Sequence, residues 1–243
     1  MLRPYATLPH PNALAGFLLV TALILFCHPV RETQAQRAWG SRGIPWFSKI
    51  AIFLAALTIP LTFSRTAIIL EAVVLSLWLL VKSKINKAIK VVFIILLASS
   101  LYYLASVISS PSSLPDRVVL NQKALLTIQQ SPVFGVGLGN FIPSSSSIQL
   151  STSSFLLLTQ PVHNIYLLLA SELGIPATLT ILYLILRNLF KIKNLKLKIP
   201  LLVVLASGAA DHYWLTLHQN QLLLTILLAL LVVKSSRATE HIL

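Results

Sequence analysis

Long apolar runs recur along almost the whole chain, separated by short polar or basic stretches. Seven can be delimited, at residues 13–29, 44–63, 66–81, 89–109, 165–190, 199–216 and 219–233. One soluble core could not bury this much apolar surface in 243 residues, of which 56% are hydrophobic and 10% charged. A lipid-exposed backbone must satisfy its own hydrogen bonds, and about 20 helical residues cross a bilayer core. The runs therefore predict an all-α, polytopic transmembrane helical bundle of about seven spans.

The basic residues are distributed unevenly between the two sides of such a bundle. If the first span runs inward, fifteen of the nineteen Lys and Arg residues fall on one side, and the other side receives Arg3, Arg65, Arg117 and Lys123. Because cations favour the cytoplasmic side, the N-terminus is predicted outside and the C-terminus inside. The net charge of +13 does not indicate nucleic acid, since the cations form short clusters without the aromatic interleaving of a binding face.

The chain is predicted to be a single transmembrane domain, 1–243, with one large external loop at 110–160. A connection of this length usually carries function. Inside it, an amphipathic helix is predicted over 118–130, capped by Asp116 and lying on the membrane surface. Its apolar stripe is expected to contain Val118, Ala124, Leu125 and Ile128.

Three alternating glycines follow that helix, at Gly135, Gly137 and Gly139. They resemble a nucleotide-binding fingerprint only superficially, because no strand precedes them and no helix clearly follows. A tight backbone turn is the better interpretation. The serines at 144–147 and 151–154 predict a flexible, low-complexity tract after the turn.

The uncommon polar groups gather on the predicted outer side of the membrane. Asn12, just after two prolines, can cap the first helix. A lone Arg65 on the outer side is expected to bind lipid headgroups or a phosphate group. The whole set comprises His10, Asn12, Ser64, Arg65, Asp116, Arg117, His163, Asn164, Asp211 and His212.

Asp211 and His212 form the last polar pair of this set. From Lys198 to Asp211 is about 20 Å of helix, so a straight helix would place the pair in the outer third of the membrane rather than in a loop. Intramembrane ionisable residues are functional or paired, and an ion pair of Asp211 with Arg65 or Arg117 is the structural alternative. A metal site built from the outer histidines and Asp211 is disfavoured, because no short ligand spacing supports it.

His163 and Asn164 stand at the outer end of the fifth segment. Ala170, Gly174 and Ala177 lie below His163 on one helix face and predict close helix packing, while the Gly174 region can bend the helix. Glu172 lies about 180° from His163 on an ideal helix, which argues against a His–Glu pair and favours a cation partner on a neighbouring element. Periodicity alone leaves His163 open to a structural as well as a catalytic role.

Four motifs occur in order along the chain: residues 9–12, Ser64-Arg65, Arg117 followed by the turn at 132–139, and His163-Asn164 with Gly174. In this order they resemble the O-antigen ligase and O-antigen polymerase superfamily, over most of the chain. The resemblance implies a GT-C-like membrane glycosyltransferase of the bacterial inner membrane. Members take a saccharide from an undecaprenyl diphosphate carrier on the outer face and join it to lipid A-core or another glycan. It also implies that the chain corresponds to the C-terminal half of such a protein, since members commonly have further spans before the region resembling residues 2–12.

The resemblance assigns His163 as the catalytic base, and Arg65 and Arg117 as the groups that hold the diphosphate. No metal and no cofactor are expected, because the guanidinium groups carry the charge of the leaving group. Two alternatives remain open: a non-catalytic half of a split or truncated ligase, and a lipid-linked saccharide transporter or flippase. The residues expected to support the site are His10, Asn12, Asn164, Glu172, Asp211 and His212.

Overall fold

Helix is the only regular secondary structure in the described part of the chain, as the sequence predicts. The computed structural model describes residues 10–27, 46–81, 91, 94–95, 98, 114–146, 148, 159–191 and 195–240. Within those ranges no helix is both long and apolar enough to cross a membrane. The seven-span bundle and the single domain stay predictions, and most of the fourth predicted segment lies outside the described residues. The chain divides into two compact units, one within residues 1–110 and 199–207 and the other within residues 111–198 and 208–243.

The first unit contains three mutually contacting helices: α1 (Pro11–Cys27), α2 (Trp46–Leu61) and α3 (Arg65–Val81). Their core combines alanines, which permit close approach of the backbones, with larger apolar side chains, and includes Ala13, Ala15, Leu19, Ile59 and Ile68. Glu71 of α3 is also buried, as expected of a carboxyl group that faces the interior of a bundle.

The second unit is built around three mutually contacting helices: α4 (Leu114–Gln130), α5 (Phe141–Ser146) and α6 (Ile165–Leu173). It continues through α7 (Ile175–Lys191), α8 (Leu195–Gly208), α9 (Tyr213–Thr216) and α10 (His218–Glu240), although residues 199–207 of α8 belong to the first unit. Its hydrophobic core contains Leu120, Ala124, Phe141, Val162 and Leu168.

Helix α4 confirms the helix expected in the external loop but corrects its buried face. Ala124 and Ile128 are buried as predicted, whereas Val118 and Leu125 are about half exposed. Leu120 is buried in the core instead, because α5 and α6 cover the face that carries it. The helix begins two residues before Asp116, which therefore lies in its first turn and is not the cap.

Helix α5 corrects the prediction of a flexible serine tract. Residues 144–146 are helical, anchored by the buried Phe141, and the hydroxyls of Ser145 and Ser146 donate to backbone carbonyls three residues earlier. Packing of Phe141 into the core thus overrides the weak helix propensity of serine. Residues 147 and 151–154 of the predicted tract lie outside the described residues.

The fifth predicted segment, 165–190, is two helices and not one. Gly174 separates α6 from α7, with φ 82° and ψ 166°, a backbone conformation that is essentially restricted to glycine. The bend expected at this glycine is confirmed. The close packing expected there also occurs, but its partner is the glycine turn after α4 and not a helix, since a Cβ atom on Gly174 would lie 2.1 Å from the carbonyl oxygen of Val133.

The glycine turn after α4 is the tight turn predicted from the sequence. Gly135, Gly137 and Gly139 all have positive φ angles, and the turn places two backbone N–H groups against the end of α6. Val136 donates to the carbonyl of Ser171 and Gly137 to that of Glu172, both at 2.9 Å. Ile175, the first residue of α7, donates back to Pro132 at 2.8 Å. The turn therefore caps the last carbonyls of α6 and fixes the break between the two helices.

The sixth predicted segment, 199–216, is also interrupted. Helix α8 ends at Gly208, where a Cβ atom would lie 2.3 Å from Cδ1 of Ile165, and residues 209–212 form a turn and a short non-helical link to α9. The prediction that Asp211 and His212 continue a straight helix is therefore wrong. Both residues lie on a link between helices, close to the first residue of α6.

Candidate functional site

Asn164 fixes the backbone next to His163. Its side-chain oxygen accepts hydrogen bonds from the backbone N–H groups of Tyr166 and Leu167, at 2.9 and 3.2 Å, and its φ and ψ of −155° and 115° are those of an N-cap. His163 is therefore the residue immediately before the cap, outside α6 itself. The buried Val162 on its other side belongs to the core of the second unit. The imidazole is thus held at the start of the helix from both directions.

The partner of His163 is Asp211, 48 residues away in the sequence. His163 Nδ1 lies 3.2 Å from Asp211 Oδ1, and the carboxylate is almost completely buried. An ionised carboxylate can only accept hydrogen bonds, so Nδ1 carries the ring proton and Nε2 presents a lone pair. This is the arrangement of a general base whose orientation is set by a carboxylate.

Asp211 is held in place independently of His163. The backbone N–H of His212 donates to the same oxygen, Oδ1, at 2.8 Å. The break in α8 at Gly208 brings this link against Ile165. The carboxylate position is therefore set by the backbone, and the imidazole binds to a fixed acceptor.

Arg117 reaches the same link. Its Nη1 donates to the carbonyl of Ala210 at 2.5 Å, which places the first turns of α4 beside the residue that precedes Asp211. The ion pair of Arg117 with Asp211, considered from the sequence, is not the contact that forms. A guanidinium has five N–H donors, so this one bond leaves donors for an anionic ligand.

His212 lies beside His163, with ring centroids 5.1 Å apart and an interplanar angle of 39°. Its Nε2 is 4.0 Å from Asp211 Oδ1, while its Nδ1 is 2.7 Å from the hydroxyl of Thr216 on α9. His163, Asp211 and His212 each offer a metal-ligating atom, and the three atoms lie within 4.8 Å of one another. The link between α8 and α9 therefore gathers three ionisable groups.

Four further predicted residues, His10, Asn12, Ser64 and Arg65, lie in the first unit. His10 and not Asn12 occupies the position before α1, because the carbonyl of His10 accepts from Ala13 and Leu14 at 3.1 and 3.2 Å. The cap assigned to Asn12 is therefore wrong: the helix begins at Pro11, a favourable first residue, and Asn12 is the second.

Arg65 is the first residue of α3 and is partly buried. The turn before it is tight: Phe63 has a φ of 56°, and the backbone N–H of Ser64 donates to the hydroxyl of Thr62 at 3.3 Å. The carbonyl of Ser64 accepts from Ile68 at 3.0 Å and so begins the hydrogen bonding of α3. The Ser64-Arg65 motif is thus a helix start.

Glu172 binds a backbone N–H group and not a cation. Its Oε1 accepts from the N–H of Phe141, the first residue of α5, at 3.4 Å, which satisfies one of the open donors of that short helix. Among the described residues Glu172 forms no ion pair. The predicted cation partner is therefore wrong, whereas the absence of a His163–Glu172 pair is confirmed by the bond of His163 to Asp211.

A family model described as O-antigen ligase matches residues 50–182, more than half of the chain. The chain belongs to the O-antigen ligase family. The match includes Arg65, Arg117, His163 and Glu172, and it ends before Asp211. Among curated proteins, none matches the chain.

Two features of the site in this O-antigen ligase family member could not be identified from spacing alone. The sequence marks Asp211 as unusual, but its pairing with His163 depends on where α8 ends. The carbonyl of Ala210 as a ligand of Arg117 leaves no signal in the sequence at all, because any residue type provides a carbonyl. For the end of α8, the sequence does contain one indication, Gly208, whose missing side chain permits contact with Ile165.

Proposed function

We propose that this chain is a membrane glycosyltransferase that transfers a saccharide from an undecaprenyl diphosphate-linked donor to a glycan or lipid A-core acceptor. The proposed location is the outer face of the bacterial inner membrane, with a multi-pass helical bundle of about seven spans and a cytoplasmic C-terminus. Family membership supports the transfer of glycans in general. The seven apolar runs and the uneven distribution of cations support the membrane arrangement.

The observation that carries the proposal is the pairing of His163 with Asp211. A proton on Nδ1 leaves Nε2 as the basic nitrogen, which is what a base needs in order to accept a proton from a sugar hydroxyl. The acceptor oxygen then attacks the anomeric carbon as the bond to the diphosphate breaks. Asp211 stabilises the imidazolium that forms and acts as a positioning residue.

Arg117 is the proposed ligand of the diphosphate in the second unit. Its bond to the carbonyl of Ala210 orients the guanidinium beside the His163–Asp211 pair, and its remaining N–H groups can donate to phosphate oxygens. Charge that grows on the leaving group would thus meet a permanent cation, and the proposed reaction requires no metal. Arg65 is proposed for the same diphosphate from the family resemblance.

The test is glycan transfer by the full chain in membranes. His163→Ala is expected to lower transfer about 10²- to 10⁴-fold, the usual contribution of a general base. Arg117→Ala and Arg65→Ala are expected to lower it as well, with unchanged amounts of protein in the membrane fraction. His218→Ala is the matched control, because His218 is an exposed histidine on α10 whose Nδ1 binds Gln221. Full activity of His163→Ala would remove His163 as the base.

The stereochemistry of the product tests the reaction scheme itself. A single displacement by the acceptor hydroxyl inverts the configuration at the anomeric carbon. The configuration of the new glycosidic bond can be read from its proton–carbon coupling in the NMR spectrum and compared with that of the donor. Retention would contradict direct attack and would require a covalent intermediate.

A further inference from the structure

Three ionisable groups, His163, Asp211 and His212, lie together on and beside the link between α8 and α9. His163 Nδ1 and His212 Nε2 both face Asp211 Oδ1, at 3.2 and 4.0 Å. The backbone bond from His212 to this oxygen keeps the carboxylate in position. The proposed reaction uses His163 and Asp211 and gives His212 no role, although the ring of His212 lies next to both residues.

Thr216 determines how His212 presents its ring. The hydroxyl of Thr216 lies 3.2 Å from the carbonyl of His212 and can donate its proton there, so that Oγ1 accepts a hydrogen bond from Nδ1–H at 2.7 Å. Nε2 then carries a lone pair and lies 4.0 Å from Asp211 Oδ1. Two electron-rich atoms that face each other are stabilised when a cation lies between them.

We propose that His163, Asp211 and His212 form a binding site for a divalent transition-metal ion of the zinc class. Two imidazoles and one carboxylate are the ligand set that such ions prefer, whereas Mg²⁺ and Ca²⁺ require more oxygen ligands than one carboxylate provides. The Thr216 hydroxyl supplies the outer hydrogen bond that orients a ligating histidine.

The distances are compatible with this site after a small adjustment. Tetrahedral zinc with bonds of about 2.0–2.2 Å places its ligand atoms roughly 3.4 Å apart. The three atoms here lie within 4.8 Å of one another, so a ring rotation that moves one imidazole nitrogen by roughly 1.4 Å closes the widest gap. Both imidazoles are partly accessible, at 18% and 19% of their side-chain surface, which leaves a route for the ion and room for a water as fourth ligand.

Metal binding would act against the proposed base. A neutral imidazole has a single N–H group, so coordination through Nδ1 of His163 moves the ring proton to Nε2 and removes the lone pair that accepts the substrate proton. The ion would also take the carboxylate that stabilises the imidazolium. The site is therefore inhibitory, and this consequence, unlike metal binding itself, rests on the proposed function.

Metal binding can be measured without any assay of glycan transfer. Co²⁺ is titrated into the purified full chain in detergent, its visible absorption spectrum is recorded, and Zn²⁺ is added as a competitor. His212→Gln is expected to weaken binding by more than 100-fold, and Thr216→Val by about 10- to 100-fold, the usual effect of losing an outer hydrogen bond. His218→Gln, a histidine six residues further along the chain, is expected to bind like the wild type.

Equal affinity of the wild type and His212→Gln would overturn the site. If His212→Gln fails to fold, Thr216→Val gives the same test, and wild-type affinity in that variant would contradict the proposed orientation of His212. Inhibition is then measured as the transfer rate with Zn²⁺ divided by the rate of the same variant without it. Strong inhibition of the wild type and loss of that inhibition in His212→Gln support the proposal. Binding without inhibition would leave the metal site standing and would count against His163 as the base.

Discussion

Asp211 Oδ1 receives two N–H groups, one from the backbone of His212 and one from the ring of His163. The first fixes the oxygen and the second orients the imidazole, so the carboxylate stays in position whatever the ring does. A substitution that changes the chemistry of the Asp211 side chain can therefore leave its position unchanged.

Asp211→Asn tests the orientation of His163. An amide can turn its NH₂ group toward Nδ1 and so favour the tautomer with the proton on Nε2, which cannot act as a base. We expect turnover to fall by about 10²-fold or more while donor affinity changes little. Measurement of kcat and KM separately checks this. A variant that changes KM alone would show that Asp211 binds substrate instead of positioning the base.

Lys123 is a buried residue that the proposed reaction does not use. Its relative exposure is 0%, and its ammonium group has no hydrogen-bond partner in the part of the chain that the structure describes. A buried polar group without a partner costs about 1–3 kcal/mol. Lys123→Met, which keeps most of the volume, is expected to raise the melting temperature of the detergent-purified protein. Lys191→Met, at an exposed position on α7, should leave the free energy of unfolding within about 0.5 kcal/mol of the wild type. A lower melting temperature for Lys123→Met would show that the ammonium has a stabilising partner.

At the scale of helices, the second unit depends on backbone contacts between the glycine turn and the junction of α6 with α7. The N–H groups of Val136 and Gly137 bind the last carbonyls of α6, and the N–H of Ile175 binds Pro132. A Cβ atom on Gly135 would lie 2.4 Å from the carbonyl carbon and oxygen of Glu172. The turn and the junction can approach this closely only because both contain glycine.

Gly174→Ala and Gly139→Ala are a matched pair that tests this contact. Both positions have positive φ angles, but a Cβ atom on Gly174 would meet the carbonyl oxygen of Val133 at 2.1 Å, whereas a Cβ atom on Gly139 meets no atom within 4 Å. We expect Gly139→Ala to cost about 1 kcal/mol from backbone conformation alone and Gly174→Ala to cost more than about 3 kcal/mol. Thermal unfolding of both variants measures the difference, and equal losses would show that the contact contributes little.

The sequence predicts most of the helices and the glycine turn, but it predicts the ends of the helices less well. Apolar runs give α1, α2 and α3 within two residues of their observed bounds and the start of α10 within one, although α10 continues seven residues beyond its run. The glycines at 135, 137 and 139 predict the turn. Helix α8 ends at Gly208, which lies against Ile165, and these two residues are 43 positions apart, so local periodicity contains no trace of this break. The carboxylate partner of His163 could not be predicted for the same reason, because it exists only after that break has formed.

At the scale of the whole molecule, the distribution of cations makes a prediction about topology. Residues of the glycine turn should face the outside of the cell, and the end of α7 should face the cytoplasm. Each of the two regions has an exposed residue: Leu138 in the glycine turn is 71% exposed, and Lys191 at the end of α7 is also exposed. The chain contains one cysteine, Cys27, which a serine can replace.

Labelling with a membrane-impermeant maleimide tests the topology. In a Cys27→Ser background, Leu138→Cys is expected to react in intact spheroplasts, and Lys191→Cys only after the membrane is permeabilised. Reaction of both before permeabilisation would contradict a membrane between the two positions. The reverse pattern would invert the proposed orientation and place His163 on the cytoplasmic side.

The distance of 48 residues between His163 and Asp211 has a consequence for how this family is delimited. The family match ends at residue 182, between the two partners. A protein trimmed to that limit would keep the histidine and both arginines while losing the carboxylate, the Ala210 carbonyl that holds Arg117, and His212. Sequence comparison restricted to the matched segment would count such a truncated chain as complete, although it lacks the carboxylate that binds Nδ1 of His163.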